Sequence, residues 1–146
     1  MQSAERTVRG CLIGLALALL LVGLVSGTIL RHLVQILPII AACVLLARRR
    51  DLAAYAAIPI FVFWTVIVAL IWLFLLGLSR IANGHYTPIE VASTFVMVGC
   101  SIVGVAKSAQ LGRSPAVLAR VFTFVLFAVI QCAAMWLSFL RPIAQR

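Results

Sequence analysis

The chain has 146 residues, 65% of them apolar and 10% charged, and 12 basic against 3 acidic residues give a net charge of +9. A soluble domain carries about 45–50% apolar and about 25% charged residues, so this much apolar surface excludes a water-soluble fold. The basic residues stand at the ends of apolar runs rather than in a stripe, which points to membrane flanks and anionic lipid headgroups and away from nucleic acid.

Period-two alternation is absent, which argues against a β-barrel. The expected fold is all-α, a polytopic integral membrane helical bundle in one domain over 1–146. About five transmembrane helices are expected, over 10–30, 31–47, 53–79, 89–106 and 116–140. The count falls to four if the first is cleaved or the second does not span.

The first stretch follows Arg6 and Arg9. Gly10, Gly14 and Ala18 step by four along it, and Gly23 and Gly27 do so on another face. Small-residue ladders let helix backbones approach closely in lipid, so an interface is expected there, internal or between subunits. The basic front and Val25-Ser26-Gly27 also resemble a secretory signal with a weak cleavage site. The uncharged run is long for such a signal, and retention is expected.

The second stretch has only 15 uncharged residues, 33–47, against about 20 for a span. It lengthens to residue 29 if Arg31 snorkels outward. The third has 27, 53–79, or about 40 Å at 1.5 Å per residue. A tilt is expected there, with Pro59 a candidate kink.

Asn83-Gly84 reads as a turn, and Thr87-Pro88-Ile89-Glu90 as a capping box opening the fourth helix. Cys100, Gly104 and Ser108 form a further ladder. Ser114-Pro115 reads as the start of the fifth helix. Gln35 and Gln131 are the intramembrane amides. Gln131 is expected to face the bundle and hydrogen-bond a neighbour. Cys11, Cys43, Cys100 and Cys132 form no CxxC pair, so no metal site is expected and they read as small hydrophobes.

Five spans put eight Lys and Arg residues on the N-terminal side and four on the other. That favours a cytoplasmic N-terminus and an outer C-terminus. Compactness and short loops suggest a bacterial inner membrane. The same topology gathers Arg31, His32, Arg80, His85, Tyr86 and Glu90 at the outer face. His32, His85 and Tyr86 are the candidate cofactor residues, for haem or quinone. The simpler reading is that such side chains favour the interface, and no cofactor is the main expectation.

No span holds a central charge, which argues against proton-coupled transport. HExxH, GxSxG and phosphate-loop motifs are absent. The expected function is a non-catalytic accessory or assembly subunit, partnered by other membrane subunits or by itself. The alternatives are a transporter or channel for a neutral or lipophilic solute, and a redox subunit using His32 and His85.

Overall fold

Apolar runs of this length satisfy their backbone internally in lipid only as helices or closed barrels, and here they form helices. A computed structural model describes residues 2–78, 86–111 and 116–140. Its helices are α1 (Gln2–Val25), α2 (Ile29–Arg48), α3 (Arg50–Leu75), α4 (Pro88–Ser108) and α5 (Val117–Ser138). All five are long and apolar enough to cross a membrane, and the described residues contain no strand.

Two glycines set boundaries that apolar runs alone do not reveal. Gly27 has φ 69° and Gly77 φ 72°, the left-handed region where a side chain is strained. At the end of α1 the Thr28 N–H donates to Gly23 O at 2.9 Å and the Gly27 N–H to Leu24 O at 3.4 Å. At the end of α3 the Leu78 N–H donates to Leu73 O and the Gly77 N–H to Phe74 O, both at 2.9 Å. This is the Schellman pattern. The first helix therefore stops at Val25 rather than running to residue 30. Ile29 and Leu30 pass to α2, which gains a full spanning length of 20 residues. Gly27 leaves the proposed ladder, and nothing lies within 4 Å of its Cβ position.

Arg49 alone separates α2 from α3. Pro38 and Pro59 lie inside continuous helices. Each lacks the N–H that the carbonyl four residues earlier would accept.

The most extensive contact is α1 on α4. α3 packs on α4, α5 and α2, while α2 also meets α1 and α5. The contacts close a ring in the order α1, α4, α3, α5, α2, with α2 and α3 touching across it. Leu12, Leu15, Ile39, Leu46, Ile60 and Phe61 fill the core. α1 contributes so much of it that losing α1 would uncover the buried face of α4.

Candidate functional site

Apolar helices give few places for specific chemistry, so the seams between them carry what there is. Gly14 and Gly104 mark the tightest approaches. A Cβ built on Gly14 would sit 2.9 Å from the Cys100 Sγ, and one on Gly104 would run into the Phe61 ring. Gly14 therefore seats α1 on α4, and Gly104 seats α4 on α3. Ala18 is buried in the same core. Gly10 departs from that ladder, being exposed, with nothing within 4 Å of its Cβ position. α4 lies over Gly14 and does not cover Gly10.

Polar side chains join the helices nearer their ends. At one end Glu5 bridges two elements, with Arg9 Nη2 at 3.1 Å on its own helix and Arg50 Nε at 3.2 Å from α3. The sequence reading did not single out Glu5, although its (i, i+4) spacing to Arg9 was the available signal.

At the other end Gln35 donates through Nε2 to Ser138 Oγ at 2.9 Å and to Met135 Sδ at 3.2 Å, tying α2 to α5. Ser138 Oγ donates onward to Met135 O at 2.6 Å. One turn earlier on α2, the Arg31 guanidinium stacks 3.9 Å above the Phe139 ring instead of simply snorkelling. Trp72 Nε1 donates to Thr94 Oγ1 at 2.9 Å, which joins α3 to α4.

The expected capping box is present. The Thr87 N–H donates to Glu90 Oε2 at 2.7 Å, and the Glu90 N–H donates to Thr87 Oγ1 at 3.3 Å. Pro88 fills the first helical position.

Of the expected histidine and tyrosine constellation, Arg31, His32, Tyr86 and Glu90 lie within electrostatic reach of one another, and each also makes a contact of its own. His32 turns toward α1, its Cβ 2.9 Å from the Cβ position of Gly23. Its Nδ1 lies 3.0 Å from Thr28 O and 3.2 Å from Thr28 Oγ1. A carbonyl only accepts, so Nδ1 carries the proton in the neutral ring and Nε2 is left as the lone-pair nitrogen. Gln35, three residues on, turns the other way toward α5. The two therefore do not share a face, because α2 sits between α1 and α5 and adjacent stripes of a helix serve different neighbours.

Tyr86 packs beside Phe74, ring centroids 6.0 Å apart. Burial and the nearby Glu90 charge raise its phenol pKa above the ordinary value against an opposing pull from Arg31, so it remains a neutral donor. Arg80, His85, Asn83-Gly84 and Ser114-Pro115 lie outside the described residues. Among the described residues no three His, Cys, Asp or Glu side chains gather into a group able to hold a metal ion.

Gln131 faces the bundle as expected and is fully buried, but its Nε2 and Oε1 have no hydrogen-bond partner among the described residues. The bonds from Gln35 reach α5 one and two turns further along, at Met135 and Ser138. Ser101 Oγ and Trp64 Nε1 are likewise buried and without a partner among the described residues. The contacts of Gly104 with Phe61 and of Trp72 with Thr94 set an antiparallel register. That register brings Ser101 level with Trp64.

No protein-family model, curated protein or solved structure matches this chain.

Proposed function

We propose that the chain is a non-catalytic helix-packing protein of the membrane, an accessory or assembly subunit of a larger complex or a homo-oligomer. The observation that carries this reading is the imbalance between its first and last helices. α1 buries 39% of its membrane window, whereas α5 buries 22%. α5 is seated only on α3 and α2 among the major contacts. Its outward side holds a shallow notch of about 460 Å³ lined by Ala128, Val129, Cys132, Ala133 and Trp136. Small residues beside a large aromatic side chain suit close approach by another transmembrane helix.

Localisation in a bacterial inner membrane, with the N-terminus cytoplasmic and the C-terminus outside, belongs to the same proposal. Its support is the eight-to-four division of Lys and Arg. Reporter fusions at Arg50 and Arg146 test it, with a cytoplasmic signal expected only at Arg50.

A second reading, transport of a neutral solute, draws support from Gln131, Ser101 and Trp64, whose buried polar atoms have no partner among the described residues. Purification in mild detergent separates the two. A co-purifying subunit or a stable oligomer supports the packing reading. A monomer that conducts solute across liposomes overturns it in favour of transport.

A further inference from the structure

The bilayer-facing side of the α1–α2 hairpin holds a built groove that helix packing does not use. Arg9, Ile13 and Leu17 follow one another at one-turn spacing on α1. Ile40, Val44 and Arg48 do the same on α2. The helices run antiparallel, so the two ridges stand opposite each other with both arginines at one end. Ile13, Leu17, Ile40 and Val44 are each about half exposed. Between the ridges lies a groove of about 480 Å³, walled by these side chains, closed at one end by Arg9 and Ala47, and shallow-floored at Ala16 and Cys43.

Two features select the occupant. The groove is apolar along its length and cationic at its mouth. Arg9 lines that mouth, and Arg6, Arg48, Arg49 and Arg50 stand at the same end of the helices, where they outnumber Glu5 and Asp51. Arg9 has donors beyond the one given to Glu5, and Arg48 is exposed and makes no ion pair among the described residues. The eight-residue step from Arg9 to Leu17 is about 12 Å, close to one leaflet of a hydrocarbon core about 30 Å thick. We propose that this groove is a binding site for an anionic phospholipid, with one acyl chain laid between the ridges and the phosphate held by Arg9 and Arg48.

Native mass spectrometry of the full chain, mixed with phosphatidylglycerol or phosphatidylcholine of identical acyl chains, tests the site. The expected result is preferential retention of phosphatidylglycerol. Arg9→Gln and Arg48→Gln should each weaken it roughly five-fold, and Lys107→Gln on α4 should not. Ala16→Phe, which fills the groove, should remove the bound lipid. Arg48 is exposed and outside the helix seams, so its variant tests the site without threatening the fold. Equal retention of the two lipids, or retention indifferent to both arginine variants, overturns the proposal. So does a dimer that Ala16→Phe dissociates while lipid retention is unchanged, since the groove would then hold a second copy.

Discussion

The seam that joins α4 to α1 and α3 and the seam that joins α5 to α2 solve the same problem by different chemistry. The first rests mainly on small residues, with one hydrogen bond, Trp72 to Thr94, beside them. At Gly14 and Gly104 even one added carbon would meet Cys100 or Phe61 below ordinary contact distance. The second is made by adding polar groups, through Gln35 with Ser138 and Met135 and through Arg31 on Phe139. Lipid supplies no hydrophobic drive between helices, so close packing and interhelical hydrogen bonds are the two available means. The small-residue seam cannot absorb volume. Beside the polar seam stands an amide, Gln131, with no partner among the described residues.

The largest effect should come from overfilling the first seam. Gly104→Val forces the Phe61 ring aside, and overpacking of this kind costs about 1–3 kcal/mol or more. Thermal unfolding in detergent should show the greatest loss for this variant, partly recovered when Phe61→Leu is added. No recovery would mean that the ring is not what Gly104 accommodates.

Gly14→Leu should cost less, because the opposing atom is the end of a small thiol side chain that can swing. Gly10→Leu should leave stability unchanged. Equal losses at the two glycines would contradict the departure of Gly10 from the ladder.

In the second seam, Gln131→Leu should stabilise the fold by about 1 kcal/mol, because an unpaired buried amide carries its full desolvation cost. A loss of similar size would reveal a partner for the amide and favour the transport reading. Gln35→Leu should go the other way, lowering stability by roughly 0.6 kcal/mol, a typical value for an interhelical hydrogen bond in a membrane protein. A Ser138→Ala background should shrink that loss, and an unchanged loss would remove this bond from the account of the seam.

What could be read from the sequence divides along similar lines. The capping box at Thr87 and Glu90 was legible because its parts are four consecutive residues obeying a local rule. The five apolar helices were legible because length and hydropathy suffice. Gly27 was misplaced because spacing by four says nothing about φ, and its left-handed backbone makes it a stop rather than a rung. The loss of a partner for Gln131, and the divergence of His32 from Gln35, both depend on which helices flank α5 and α2. That order is a property of the closed ring, and no single stretch encodes it.

The central claim is that the bundle uses its polar groups internally and offers the notch on α5 to another helix. Cys132 lies exposed in that notch, so oxidative cross-linking in native membranes reads it directly. A higher-mass adduct that disappears in Cys132→Ala is the predicted result. A chain that remains monomeric under all cross-linking conditions, with Cys132 freely labelled by a membrane-permeant thiol reagent, would contradict it.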